Sequence, residues 1–284
     1  MNTVSLQLSS SQIASIFSRY KKYKVNKEQP YIQAQYKLTD CVITVYESKK
    51  VVFQGKEAEF YAATFQDNKK LQTHAGSDEV GTGDYFGPVC VCACIVDEKH
   101  HKKIPLDRLK DSKKIKDIEI MELAPLLIQV LPHSLLILNN LKYNEIHPKY
   151  NLNQIKAILH NQTYIHLQKK VKKLPNTIII DQFTPQKNYY KYLQNEPAII
   201  TGIHFETKAE DKYLAVACAS VIARYAFLKA FDEMCEKYSW NFLKGASDSV
   251  DKNAAAFIKQ FGEQELKNVA KLHFKNTIKL KEYI

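Results

Sequence analysis

Four acidic side chains stand where an acid is either costly or conspicuous, and they carry the chemistry open to this chain. Asp78 and Glu79 are adjacent, just ahead of Gly81-Thr-Gly83. Asp181 ends the run Thr177-Ile-Ile-Ile-Asp181, the pattern of a short buried strand. Glu210 precedes an apolar stripe of Leu214, Ala217, Cys218, Val221, Tyr225 and Leu228. A helix from Ala209 to about Glu233, turning about 100° per residue, puts Glu210 inside that stripe and Asp211 at its edge. An ionised carboxylate facing a core costs several kcal/mol unless it is paired or binds a metal. A place in the first helical turn softens that cost. Taken together, four carboxylates suit a divalent-metal site of hard oxygen ligands, with Mg²⁺ or Mn²⁺ as the ion. Such clusters hold two ions about 4 Å apart, one activating water and the other stabilising the leaving oxygen in phosphodiester cleavage.

Each residue taken alone also has a plainer reading. An Asp-Glu pair before a glycine turn is usually surface decoration, and Asp181 could be a polar strand end meeting solvent. Glu206 and Asp211 lie close enough to replace Glu210 in the set. Adjacent residues on a strand point to opposite faces, so a site shared by Asp78 and Glu79 requires the strand end to bend, which Gly81 and Gly83 permit. The segment Gly81-Thr-Gly-Asp-Tyr-Phe-Gly87 has the spacing GxGxxxG and runs into a strand, which excludes a dinucleotide-binding turn, and no GxxxxGK[ST] occurs. A loop with exposed backbone amides that admits a nucleic-acid backbone fits better.

These residues must be positioned by two sets of elements. In the first, Ile13, Ile16, Phe17 and Tyr20 follow helical spacing after a serine run able to cap a helix. Tyr31–Leu38 alternates, with Ile32, Ala34, Tyr36 and Leu38 on one face, and Cys41–Tyr46 and Val51–Phe53 read as further strands. A helix from Lys56 to Phe65 closes the unit. This gives residues 1–66 as one domain, 67–74 as a linker and 75–284 as a second domain. Residues 1–75 carry 11 basic against 6 acidic side chains, a net charge of +5. A small helix-flanked sheet with that charge could lay one face on nucleic acid or pack on the rest of the chain. In the second set, a strand leading into Asp78, the strand Val89–Val96, a strand Leu135–Asn139, a helix Asn151–Lys170, the strand ending at Asp181 and a strand Ala198–Phe205 predict a mixed sheet with helices on both faces.

Composition agrees with a polyanionic partner. The chain has 284 residues, 45% apolar and 25% charged, with net charge +11. A basic surplus favours phosphate neutralisation and counterion release, although a lysine-rich solubility surface has the same charge. No run of about 18 apolar residues and no secretory pattern at Met1–Ser18 is evident, so the expectation is a cytoplasmic protein without a membrane span. Cys90, Cys92 and Cys94 alternate on one strand face, a spacing unlike a zinc site, and read as buried and reduced.

Gly76-Ser-Asp-Glu-Val-Gly-Thr-Gly-Asp-Tyr-Phe-Gly-Pro88 resembles the signature of the ribonuclease HIII family, within type 2 ribonuclease H. Further similarities follow in order: Asp111-Ser-Lys-Lys114, Asn151-Leu-Asn-Gln-Ile-Lys-Ala157, Ile180-Asp-Gln-Phe183, Lys208-Ala-Glu-Asp-Lys-Tyr213 with Ala-Ser-Val-Ile-Ala-Arg224, Lys244-Gly-Ala-Ser247, and Ala270-Lys-Leu-His-Phe-Lys-Asn-Thr277. The resemblance implies an α/β, overall α+β, fold: a ribonuclease H-like mixed five-stranded sheet with flanking helices, plus a small N-terminal domain like half of a TATA-binding protein that helps hold the substrate. It implies an endonuclease that hydrolyses the RNA strand of RNA–DNA hybrids as a monomer, leaving 5′-phosphate and 3′-hydroxyl ends. It implies Asp78, Glu79, Asp181 and Glu210 as ligands of two Mg²⁺ or Mn²⁺ ions. Backbone groups of Gly81, Thr82 and Gly83 would contact ribose 2′-hydroxyls. Lys113 and Lys208, inside matched motifs, would contact phosphate, whereas His273 reads more readily as a packed or exposed histidine. Glu at 210 and Gly-Thr-Gly in place of Gly-Arg-Gly favour ribonuclease HIII over ribonuclease HII, which incises single ribonucleotides in duplex DNA. A non-catalytic hybrid-binding protein would need a broken carboxylate set, and all four positions are filled.

Overall fold

The computed structural model describes residues 2–25, 30–66, 73–106, 108–109 and 115–283. The chain divides into two compact units, Met1–Leu71 and Gln72–Ile284. The first contains β1 (Asn2–Gln7), α1 (Ser10–Arg19), β2 (Lys24–Val25), β3 (Ile32–Lys37), β4 (Val42–Tyr46), β5 (Lys50–Gly55) and α2 (Ala58–Gln66). Ser9 caps α1: its hydroxyl accepts from the Gln12 amide while the Gln12 side chain returns to the Ser9 amide, which satisfies two donors of the exposed helix start. The strands form an antiparallel sheet in the order β1-β5-β4-β3-β2. Strand alternation sends Ala34, Tyr36, Ile43, Val45, Val51 and Phe53 into one core with Ile13 and Ile16 of α1 and Tyr61, Ala62 and Phe65 of α2. The opposite face carries Ser5, Gln35, Thr44 and Gln54, and Gln35 Nε2 donates to Thr44 Oγ1 across it (3.0 Å). Sequence patterning did not predict β1, which is edge pairing of a half-exposed polar segment.

The second unit contains β6 (His74–Val80), β7 (Val89–Val96), α3 (Glu98–His101), α4 (Asp117–Val130), β8 (His133–Leu138), α5 (Asn140–Ile146), α6 (Leu152–Val171), β9 (Thr177–Asp181), α7 (Gln186–Tyr192), β10 (Ile203–Glu206), α8 (Leu214–Tyr238), α9 (Asp248–Phe261), α10 (Glu263–Val269) and α11 (Lys275–Lys279). Its sheet runs β10-β9-β6-β7-β8; β7 is antiparallel to β6 and β8, while β6, β9 and β10 are parallel. This is the mixed five-stranded sheet with flanking helices that the sequence predicts. His74, assigned to the linker by composition, begins β6, pairing with Val96 and Thr177 and accepting the Ala215 amide at Nε2 (3.1 Å). Of the remaining linker positions, Thr73 is described and exposed, and 67–72 lie outside the described residues.

Two helices cover the sheet from opposite sides. Ala75, Ala93, Ile178 and Ile180 pack with Ala157, Tyr164 and Leu167 of α6. Ile179 packs with Val216 of α8, and Cys94 Sγ donates to the Ala215 carbonyl (3.1 Å). Gly76 marks how closely α8 crosses β6, because a Cβ there would sit 2.7 Å from the Ala215 carbonyl carbon. Among the described residues α8 is the one helix long and apolar enough to cross a membrane, although Ser220, Arg224 and Lys229 interrupt its apolar run. Two-thirds (67%) of its apolar window is buried in this unit, which accounts for the hydropathy. The six cysteines are free; all but the half-buried Cys235 are buried.

Two local expectations differ from the structure. Strand Ala198–Phe205 shortens to β10, because only Ile203–Glu206 pairs with β9. The long helix expected from Ala209 starts instead at Leu214, preceded by a separate 3-10 turn at Ala209–Asp211, because Tyr213 is extended (φ −124°, ψ 113°).

Candidate active site

The carboxylates gather where the parallel strands end. β6 and β9 run in register through Ser77 and Ile180, so the next step sets Asp78 beside Asp181, both on the face covered by α8. The carboxyl ends of parallel strands in an α/β sheet are where sites are commonly built. Asp78 accepts the Glu79 amide at Oδ1 (2.8 Å) and a hydrogen bond from Ser220 of α8. Burial pushes its carboxyl up to about 7, and the negative charges of Glu79 and Asp181 push the same way. Asp181 Oδ1 accepts the Ala209 amide (2.9 Å), tying β9 to the turn that holds Glu210. Glu210 is 7% exposed, while Asp211 and Glu206 are not buried, so the turn singles out Glu210 as the enclosed acid. The helical phase that pointed to Glu210 does not exist; the 3-10 turn buries it by another route.

Glu79 goes elsewhere. The pairing of β6 with β7 runs unbroken through Val80, so the strand does not bend and Glu79 leaves on the α6 face, opposite Asp78. There Lys156 of α6 forms an ion pair with Oε1, and His160 Nε2 donates to Oε2 (2.8 Å). Burial raises the Glu79 carboxyl, yet His160 and Lys156 outweigh it and hold it below its ordinary value. Among the described residues, no three His, Cys, Asp or Glu side chains stand ready-made as a metal cage. The donor set nevertheless fits a divalent cation: hard carboxylate oxygens side by side, with the Asp78 carboxyl raised first by burial and then by the negative charges of Glu79 and Asp181.

The glycine turn is held from behind. Gly81 (φ +92°) takes a left-handed conformation against Phe227, where a Cβ would meet the ring at 2.9 Å. Thr82 is half-buried and Gly83 exposed with open space beside it. Asp84 Oδ1 accepts the Gly245 amide (2.6 Å), and the Tyr85 amide donates to the Gly245 carbonyl (2.8 Å). Buried Lys271 Nζ donates to the carbonyls of Asp84 (2.7 Å) and Gly87 (2.6 Å), with its ammonium pushed down to about 7 by burial. Tyr85 Oη and Thr277 Oγ1 share a hydrogen bond (3.0 Å). The Lys244–Ser247 and Ala270–Thr277 motifs thus support the turn rather than supply acids. His273 is exposed and stacks on His147 (ring centroids 3.9 Å apart). Lys208 is exposed at φ +53°, at the start of the Glu210 turn, and Lys113 lies outside the described residues.

Sequence reasoning gave no role to Lys156, His160, Ser77, Ser220 or Lys271. Ser77, Lys156, Ser220 and Lys271 do fall inside the matched motifs, and Lys156 and His160 stand one turn apart on an α6 stripe otherwise shared with Ala157, Tyr164 and Leu167, where a lysine is out of place.

The family profile for ribonuclease HII matches residues 75–277, and a domain of unknown function matches residues 3–77. The chain is 41% identical to ribonuclease HIII of Bacillus pumilus over 302 aligned residues, covering 98% of both chains. The chain belongs to the ribonuclease HIII family. Ribonuclease HIII of Lactococcus lactis subsp. cremoris is 42% identical, again over 98% of each chain. Among solved structures, Bst-RNase HIII in complex with Mn²⁺ is 35% identical with a TM-score of 0.73, covering 99% of each chain. The match to ribonuclease HIII extends through the N-terminal unit, whereas the ribonuclease HII profile covers the second unit alone.

Proposed function

We propose that Asp78, Asp181 and Glu210 are metal ligands through which this chain works as a ribonuclease H, and that Glu79, which leaves β6 on the other face but is close enough to raise the Asp78 carboxyl, joins them past the end of the sheet rather than by a bend of the strand. The activity itself follows from family membership: this is an endonuclease that cleaves the RNA strand of RNA–DNA hybrids and uses a divalent metal. The observation that carries the ligand reading is the register of β6 and β9, which sets Asp78 and Asp181 side by side, with the Asp78 carboxyl pushed up to about 7 by burial and by the neighbouring negative charges. Mg²⁺ or Mn²⁺, two ions per site, would be held by these oxygens, with Glu210 enclosing the site from its turn. The bound ions supply water activation and stabilisation of the leaving 3′-oxygen. The chain's own residues do the rest. Asp78 and Asp181 hold the reacting phosphate's counter-charge on a rigid sheet. The Gly81–Gly83 backbone, followed by the Asp84–Gly87 segment that Gly245 and Lys271 hold, meets the RNA strand at its 2′-hydroxyls. Lys208 and Lys113 are phosphate contacts in this reading, and the polar open sheet face of the N-terminal unit rests on the hybrid. The products carry 5′-phosphate and 3′-hydroxyl ends, and the enzyme works as a cytoplasmic monomer.

The test is cleavage of a labelled hybrid beside a DNA duplex carrying one ribonucleotide, with Mg²⁺, Mn²⁺ or EDTA. Metal-dependent cutting of the hybrid with the second substrate spared is expected. Efficient incision at the lone ribonucleotide would move the specificity to the ribonuclease HII type.

A further inference from the structure

Lys271 is fully buried (0% exposed), and its side chain spends its donors on main-chain oxygens. The carbonyls of Asp84 (2.7 Å) and Gly87 (2.6 Å) accept short hydrogen bonds from Nζ, and that of Phe86 accepts a longer one (3.5 Å). The backbone beside Lys271 makes the same contact, because its amide donates to the Tyr85 carbonyl (2.9 Å) and the Gly87 amide donates to the Val269 carbonyl (3.0 Å). Asn140 Nδ2 of α5 is a second donor to the Gly87 carbonyl (2.9 Å). All four carbonyls of residues 84–87 are therefore bonded from the rest of this unit, three of them by one side chain. Burial pushes the ammonium down to about 7, but an amine keeps two N–H donors, so the two short bonds survive loss of the proton.

These bonds close one end of a short span. At the other end Gly81 is pressed so closely that a Cβ would meet the Pro88 carbonyl oxygen at 2.2 Å and the Phe227 ring at 2.9 Å. Between the two ends lie half-buried Thr82 and exposed Gly83, with open space beside Gly83. Two residues tied between fixed ends take the conformation that the ends impose, which spares the binding step the cost of ordering them.

We propose that Lys271 is the positioning residue of the RNA-facing turn: by binding the carbonyls of Asp84 and Gly87 it fixes the far end of the Gly81–Asp84 span, and so sets how well the enzyme tells an RNA–DNA hybrid from a DNA duplex. The inference rests on the reading of Gly81–Gly83 as the backbone that meets ribose 2′-hydroxyls. Lys271 acts through the main chain of the turn, so its loss reaches hybrid binding and leaves the affinity for metal in place.

The experiment measures the Kd of the full chain for a labelled RNA–DNA hybrid and for a DNA duplex of the same sequence, in EDTA at one salt concentration, with Mn²⁺ affinity measured separately. Lys271→Met, which keeps the length of the side chain and removes its donors, should weaken hybrid binding about tenfold. Its duplex binding and Mn²⁺ affinity should stay within about twofold of wild type. A purely structural role would lower the active fraction and scale both nucleic acids alike, so an unchanged ratio of the two Kd values would overturn the proposal. If Lys271→Met does not fold, Asn140→Ala decides, since it removes only the second donor to the Gly87 carbonyl. A ratio lowered at least about threefold supports the clasp, and an unchanged ratio overturns it. Gly81→Ala separates the two layers. If it lowers the ratio while Lys271→Met does not, the turn still reads RNA and only the role of Lys271 falls. If neither variant lowers the ratio, the reading of Gly81–Gly83 falls with it.

Discussion

Replacing Asp78 by asparagine should stabilise the metal-free protein at the same time as it removes activity. The carboxyl of Asp78 is pushed up to about 7, from an ordinary 3.8, by burial and by the charges of Glu79 and Asp181. A raised folded-state pKa means that the folded state keeps this proton while the unfolded chain has released it. Between about pH 4 and pH 7 the unfolded state therefore binds fewer protons, and stability falls as pH rises by roughly 1.4 kcal/mol per pH unit. Above about pH 7 the full penalty is present, roughly 3 units or about 4 kcal/mol, and below about pH 4 it is absent. The amide introduced by Asp78→Asn must still find partners, so a realised gain of about 2 kcal/mol at pH 8 is expected. The assay is urea unfolding in EDTA at pH 8 and pH 4.5, read by Trp240, the one tryptophan of the chain, which lies in the second unit. The variant should unfold at higher urea at pH 8, and the difference should shrink at pH 4.5. Millimolar Mg²⁺ should raise the midpoint of wild type more than that of the variant, since a ligand stabilises only the state that binds it. A gain of equal size at both pH values, or none at pH 8, would refute the electrostatic account of Asp78.

Three further substitutions test separate parts of the site. Asp181→Asn should abolish metal-dependent hybrid cleavage while changing stability by no more than about 1 kcal/mol, because the side-chain carbonyl can still accept the Ala209 amide; near-wild-type turnover would remove Asp181 from the ligand set. Gly81→Ala should cost at least roughly 2–4 kcal/mol in urea unfolding, from left-handed strain together with the clash of a Cβ against the Pro88 carbonyl oxygen (2.2 Å) and the Phe227 ring (2.9 Å), and should lower hybrid cleavage. Tyr85→Phe should cost about 1 kcal/mol by losing the Thr277 hydrogen bond, with cleavage within about threefold of wild type, because this bond ties the turn from behind. A large fall in cleavage with unchanged stability would instead place the Tyr85 hydroxyl in the chemistry.

Elements whose signal is local were legible in the amino-acid order alone. Three isoleucines and a threonine before Asp181 predict a buried strand, and that strand is β9. Alternation in Tyr31–Leu38 predicts one buried face of Ile32, Ala34, Tyr36 and Leu38; the last three are buried, while Ile32, beyond a shift in the β3–β4 register, is half-buried. The ordered motifs point to the ribonuclease HIII family, because a motif preserves residue order whatever the chain does between motifs. Long-range packing settled the rest. Helical phase selects Glu210 only if the helix reaches it, and an extended Tyr213 ends that phase, so its burial comes from a turn packed against β9. Glu79 looks like the twin of Asp78 in sequence, but unbroken pairing with β7 turns it to the other face of the sheet. Lys156 and His160 reach it from about 80 residues away, and no local pattern records such a meeting. The physical reason is that periodicity reports which side of an element is buried, whereas the partner of a charge is set by which elements the core brings together.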